Sequence, residues 1–301
     1  MTAGTALVST LWHPGTFSWS DWAVYPSFLI GWLLLLALYF ALAGPLRRYF
    51  PGSRPLRARQ VTCFVGAAVV MFAALQGWLH DLSDYFLFSA HMVQHLILIL
   101  LMPPLLLAGL PAWMLRPALG VPGVRPLARW LTNPVVAFLL ANSLFAAWHF
   151  PAPYDLMMRD HGVHVAMHLM IMAVGVVMWW PVASPLPELP RIAPPLQMVY
   201  LFVLGVPMML VAALITFSGT PLYEWYVEAP RITPLSPLDD QRLGGVIMWV
   251  PGGLALWLSI TVVYFRWSGG ETREDERRWR GGGGRLTRTG TVVPPPFPQD
   301  R

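Results

Sequence analysis

The sequence predicts an all-α polytopic membrane protein, a seven-transmembrane helix bundle with its N-terminus outside and its C-terminus inside. Three observations carry this expectation. Hydrophobic residues make up 56% of the 301 residues and charged ones only 12%, about half the charged fraction of a soluble domain. Seven segments are apolar over the roughly 20 residues that a bilayer crossing needs. The arginines, finally, are sharply partitioned among the loops between those segments. Such a composition argues against a soluble α/β enzyme, a coiled coil and a disordered chain.

The elements follow in order. A Trp-containing outer segment, residues 1 to 22, precedes the first span, Ala23 to Gly44. The second runs from Val61 to Leu79, the third from Tyr85 to Leu110 and the fourth from Pro134 to Phe150. The fifth covers Gly162 to Val182, the sixth Leu196 to Phe217 and the seventh Leu243 to Phe265. Together they give a transmembrane domain over residues 23 to 267, with a Gly- and Pro-rich tail from 268 to 301 expected to be disordered and cytoplasmic. Lipid offers no partner to backbone groups, so the spans must be helices. Barrel strands would alternate over about ten residues, and no such pattern is seen. Pro103-Pro104 and Pro251-Gly252-Gly253 are expected to kink their helices, and Gly244-Gly245 to allow close packing.

Every basic residue is an arginine, and the net charge is +5. Arginine suits phosphate and nucleic acid, so its placement decides what it means. Seventeen of the twenty arginines fall in the loops after spans one, three and five or at the C-terminal end. Only Arg159, Arg231 and Arg242 lie on the other side. By the positive-inside rule the arginine-rich side is cytoplasmic, and no nucleic acid is needed to explain the charge. The first 46 residues hold no basic residue, so no cleaved signal peptide is expected. The single cysteine, Cys63, excludes an intrachain disulfide and a Cys-based metal framework.

On this topology all eight histidines lie outside or in the outer half of the helices. Ionisable groups in a span are costly and usually face the bundle interior. His91 and His95 form one H-x-x-x-H pair and His164 and His168 another, and i, i+4 neighbours share a helix face roughly 6 Å apart. Spans three and five run in the same direction, so the pairs enter at comparable depth and suggest a polar funnel open outward. His161 shares the stripe of the second pair, and Asp84 that of the first. His13 and His80 are read as ordinary interfacial residues. Imidazole suits copper, zinc, iron and nickel, whereas thioether sulfur favours Cu(I). Met92, Met157, Met158 and Met167 sit near the pairs in sequence, so the set leans toward copper, although most methionines are expected in the core. Asp81, Asp84, Asp155, Asp239 and Asp240 could steer cations inward. The sequence offers no nucleophile–base pair, phosphate loop or dinucleotide fingerprint, so no enzyme is expected.

Several stretches resemble the CtaG-type cytochrome c oxidase assembly proteins of bacteria. They are Ala90-His91-Met92-Val93-Gln94-His95, Pro103-Pro104-Leu105-Leu106-Leu107-Ala108-Gly109-Leu110-Pro111, Trp148-His149-Phe150-Pro151 with Tyr154-Asp155, Val163-His164-Val165-Ala166-Met167-His168-Leu169, Trp179-Trp180-Pro181 and Asp240-Gln241-Arg242-Leu243-Gly244-Gly245-Val246-Ile247-Met248-Trp249. They occur in order over about residues 20 to 267. The resemblance implies a multi-spanning protein of the bacterial plasma membrane that helps form active haem-copper oxidase by delivering or inserting copper. It makes His91, His95, His149, His164 and His168 the metal ligands, with His149 as fifth ligand or gate. Asp240 and Gln241 match the family's acidic start of the last span; with Asp84, from its place on the first stripe, and Met167, beside the second pair, they are expected as supporting residues. Cytochrome c oxidase subunits and other copper chaperones are the implied partners. A b-type cytochrome with paired histidines on haem, a diiron hydroxylase with inward-facing boxes, and a metal permease using Gln76, Asn142 and Thr216 stand as alternatives.

Overall fold

The computed structural model describes residues 17–20 and 22–281. Among these residues every regular element is helical. The first span is α1, Pro26–Ala43, and the second is α2, Ala58–Leu75. A short helix, α3 (Trp78–Tyr85), follows at the surface. The third span is composite: α4, Phe88–Leu96, a π turn at Ile97–Leu101, and α5, Met102–Gly109. Next come α6, Val124–Leu131, and α7, Pro134–Trp148, which meet at a 72° bend. Helix α8 (Pro151–Arg159) leads into α9, His161–Ala183, and α10, Pro194–Thr216. A five-residue helix, α11 (Glu224–Glu228), lies in the long loop before α12, Pro237–Gly281. Six helices are long and apolar enough to cross a membrane, or seven if the bent pair counts as one span.

Several boundaries differ from expectation. The last helix starts at Pro237, six residues before the expected Leu243, and so takes in Asp240 and Gln241. Three other differences have a plain local reason. Helix α2 stops at Leu75 because Gln76 is extended and Gly77 takes φ +62°, a region open to glycine. His80 therefore belongs to α3 and not to the end of the second span. The third span starts at Phe88, since Phe86 and Leu87 leave helical geometry. The continuous stripe from Asp84 to His91 and His95 does not exist as such. The last helix continues to Gly281, so residues 268 to 281 of the expected tail are helical. That stretch is rich in Glu and Arg, strong helix formers, and the glycine run begins where it ends. His13 and the rest of the tail lie outside the described residues.

The kink residues have distinct solutions. Pro103 has no N–H to give the carbonyl of Ile99, and the indole of Trp179 donates to that carbonyl at 2.9 Å. The π turn takes up the strain in the same place, and Gly175 of α9 lies where a Cβ would come within 3.0 Å of Pro103. Gly244 and Gly245 let α12 close on its neighbours. A Cβ on the first would strike the Phe88 ring, and one on the second would strike the Thr216 hydroxyl and come within 3.0 Å of the Ala212 carbonyl.

Two apolar clusters fill the interior. Phe88, Met92, Met157, Met167, Tyr223 and Met248 belong to the one around the histidine end. Leu107, Trp179, Tyr200 and Leu201 belong to the other, toward the arginine end. Leu33, Leu34 and Leu38 of α1 stay exposed, as expected of side chains facing acyl chains.

Candidate metal centre

Four histidines converge at one end of the bundle. The ring centroids of His91 and His95 are 4.1 Å apart, and those of His164 and His168 are 4.6 Å apart. Across the helices His91 lies 5.9 Å from His164 and 6.3 Å from His168, while His95 lies 5.6 Å from His168. The two pairs expected from spacing thus form one cluster. All four are buried. Both ring nitrogens of His91, Nε2 of His95 and Nε2 of His164 are buried with no hydrogen-bond partner. Buried polar groups are rarely left so, and an unpartnered imidazole nitrogen is the donor a metal requires.

Asp84 reaches the cluster by a route the stripe did not anticipate. Helix α3 packs across the start of α4, and the Asp84 carboxylate lies 3.7 Å from His164 Nε2. Ligand atoms of Asp84, His91 and His164 all fall within 4.8 Å of one another. Four-coordinate ligands at about 2.1 Å from an ion stand about 3.4 Å apart, so a contraction of at most about 1.4 Å would bring this set into range.

His149 caps the C-terminus of α7. Its Nδ1 donates to the Phe145 carbonyl at 2.6 Å, which leaves Nε2 with the lone pair. It lines a cavity of about 60 Å³ that His95 also lines. Its own carbonyl accepts from Tyr223 at 3.0 Å.

Gln94 and His80 belong to this site although sequence reasoning passed over both. The Gln94 amide nitrogen donates to the Ala74 carbonyl at 2.9 Å. A carbonyl only accepts, so this contact fixes the amide's orientation. The same nitrogen then donates to His80 Nδ1 at 3.0 Å, and Gln94 Oε1 accepts from His168 Nε2 at 3.3 Å. One glutamine therefore sets the tautomers of two histidines. The available signal was its place inside the H-x-x-x-H pair. His80 follows the expected second span as an interfacial residue, and the turn at Gly77 brings it inward. Its Nδ1 is also 3.5 Å from Asp84.

The loop around α11 covers the site. Trp225 donates through its indole to the Asp84 carbonyl at 2.7 Å, and Tyr226 donates to the Ser83 carbonyl at 2.5 Å. Arg231 in turn holds the Tyr226 carbonyl. Asp240 does not face the histidines. It accepts from Phe88 N at 2.7 Å and from the Ser89 hydroxyl at 2.5 Å, so it caps α4 from another helix. Gln241 ties Leu222 N at 2.6 Å and the Ile215 carbonyl at 3.2 Å. Met167 is fully buried within the apolar cluster. His161 is exposed. Asp81 accepts from the Tyr25 phenol at 2.5 Å, and burial raises its carboxyl above the ordinary range.

Fold and site together define a polytopic membrane protein with a buried histidine–carboxylate cluster at one end of its bundle. Residues 37–269 match the cytochrome c oxidase caa3 assembly factor family (Caa3_CtaG), and the chain belongs to that family. It is 27% identical over 262 residues to the uncharacterized proteins Mb0105 of Mycobacterium bovis and MT0111 of Mycobacterium tuberculosis, covering 81% of this chain and 38% of theirs. To the uncharacterized protein ML1998 of Mycobacterium leprae it is 27% identical over 209 residues, covering 64% of this chain and 31% of that one. The chain thus spans well under half the length of these relatives. No solved structure matches it.

Proposed function

We propose that this oxidase assembly factor takes up copper at the histidine end and passes it to a haem-copper cytochrome c oxidase, with oxidase subunits and other copper chaperones as its partners. The histidine end faces the outside of the plasma membrane and the arginine-rich end faces the cytoplasm. The observation that carries the reading is the convergence of unpartnered, buried imidazole nitrogens beside one carboxylate. His91, His164 and Asp84 are the central ligands. His95 and His168 adjoin them, and His149 stands beside His95. This donor set of nitrogen and oxygen fits Cu(II) as well as Cu(I), because imidazole serves both and carboxylate prefers the harder ion. The cavity beside His95 and His149 holds about 60 Å³, room for an ion and its waters but far too little for a haem macrocycle. A permease reading draws little support. Gln76 is engaged with the Tyr25 backbone, Asn142 with the Phe138 carbonyl and Thr216 with the Ala212 carbonyl.

The test is copper binding by the purified full chain, measured by competition with a chromophoric chelator under reducing and oxidising conditions. Wild type should hold copper, and the His91→Ala/His95→Ala/His164→Ala/His168→Ala variant should lose it. Equal, weak binding by both would sink the proposal. A periplasmic reporter that is active when fused after Arg301 would overturn the orientation.

A further inference from the structure

At the opposite end of the bundle lies a second and much larger space. On α9, His168 of the cluster and the helix's last residue, Ala183, stand about 22 Å apart along the axis. Beyond Ala183 a crevice of about 910 Å³ opens between the start of α2, α5, the α9–α10 connection and the middle of α12 around residues 258–267. Its wall is mostly apolar, including Leu101, Leu105, Leu258 and Val262, with Gln60, Gln197 and Ser259 among them, and its rim carries Arg57, Arg59, Arg191 and Arg266, with Trp267 beside them. Among the described residues lining it, none is acidic. No carboxylate among the described residues pairs Arg57, Arg59 or Arg266, whereas Arg116 nearby is matched by Glu188 at 2.7 Å. Four guanidinium groups, Arg191 tied to the Ser184 carbonyl at 3.2 Å, thus form a cationic rim with no counter-ion among the described residues.

We propose that this crevice seats an anionic phospholipid, its phosphate held by the arginine rim and its acyl chains laid along the apolar wall. Several features select a lipid over a free anion. The guanidinium fork matches phosphate oxygens, which alone would suit either ligand. The mostly apolar wall below it suits hydrocarbon better than a free anion, and its outer residues are open: Leu258 is 65% exposed and Leu101 46% exposed. Trp267 sits where aromatic rings usually mark the headgroup level. Basic pockets between spans at the arginine-rich side of a membrane are suited to such headgroups. The site is independent of the histidine cluster.

The test uses the full chain, delipidated in detergent and titrated with phosphatidylglycerol or phosphatidylcholine, with bound lipid read by native mass spectrometry. Phosphatidylglycerol should bind at least tenfold more tightly than phosphatidylcholine. Each arginine near a lipid surface contributes roughly fivefold, so Arg57→Gln/Arg59→Gln/Arg266→Gln should cost about 100-fold. Arg125→Gln/Arg129→Gln, on α6 outside the crevice, should bind as wild type does. Should the triple variant fail to stay monodisperse, the single variants should each lose about fivefold. Unchanged phosphatidylglycerol binding by the arginine variants, or no preference over phosphatidylcholine, would overturn the proposal. Displacement of the lipid by equimolar inorganic phosphate would assign the rim to a free anion and overturn the lipid assignment.

Discussion

Replacing Gln94 with leucine removes a single amide and leaves three partners behind. The Ala74 carbonyl loses its donor at 2.9 Å, His80 Nδ1 its donor at 3.0 Å and His168 Nε2 its acceptor at 3.3 Å. Gln94 is fully buried, so water does not replace it cheaply. Each stranded group costs about 1–3 kcal/mol, and the added apolar burial returns about 1–2 kcal/mol. The net loss is about 3 kcal/mol, or a fall in Tm of roughly 6–12 °C for a chain of this size. The His80 and His168 rings also lose what sets their tautomers, and losing such a support lowers metal affinity about 10–100-fold. The two effects are read separately: thermal unfolding of the metal-free protein by size-exclusion fluorescence, then copper affinity by chelator competition at a temperature where the variant is folded. A Gln94→Leu variant with wild-type Tm and wild-type affinity would refute the assignment of this amide as the brace of the cluster.

Further outcomes follow from the same geometry. Asp240→Ala strips the start of α4 of its cap, and with three hydrogen bonds to a buried carboxylate lost the chain should lose about 3 kcal/mol in thermal unfolding. Asp240→Asn, which keeps one acceptor, should lose less. Asp84→Asn should leave Tm within a few degrees while lowering copper affinity about tenfold or more, because the anionic ligand beside His164 disappears. Gly245→Val places side-chain atoms against Thr216 and the Ala212 carbonyl, and should cost about 1–3 kcal/mol by overpacking. Tyr226→Phe removes the bond to the Ser83 carbonyl, and should speed copper exchange, followed by stopped-flow transfer to chelator, while leaving stoichiometry unchanged.

What the sequence revealed divides along physical lines. Span positions were legible because burial in lipid demands long apolar runs, and α9 and α10 begin and end within two residues of expectation. The pairing of His91 with His95 and of His164 with His168 was legible because helical spacing is local. Contacts across the chain were not. Asp240 looked like a site acid, since nothing in its neighbourhood shows that it reaches Phe88, 152 residues away. His80 was misplaced because one glycine turns the backbone by an angle that hydropathy does not encode. Gln94 was overlooked because a glutamine between histidines gives no sign of which neighbours it bonds. The helix beyond Ser268 does not show in hydropathy, because its residues are charged; only the helix propensity of Glu and Arg signals it.

The cap from Asp240 has a consequence for the order in which the protein is made. The helix carrying His91 and His95 leaves the ribosome about 150 residues before the carboxylate that secures its first turn. At roughly 5–20 residues per second, that is an interval of about 10–30 s. Trp225 and Tyr226, which clamp the backbone of Asp84 and Ser83, arrive only shortly before Asp240. During that interval the histidines exist without the framework that aims them. On the proposed copper-binding reading, the site is complete only once the last helix is in place, and a half-synthesised chain lacks the contacts that hold the elements around it.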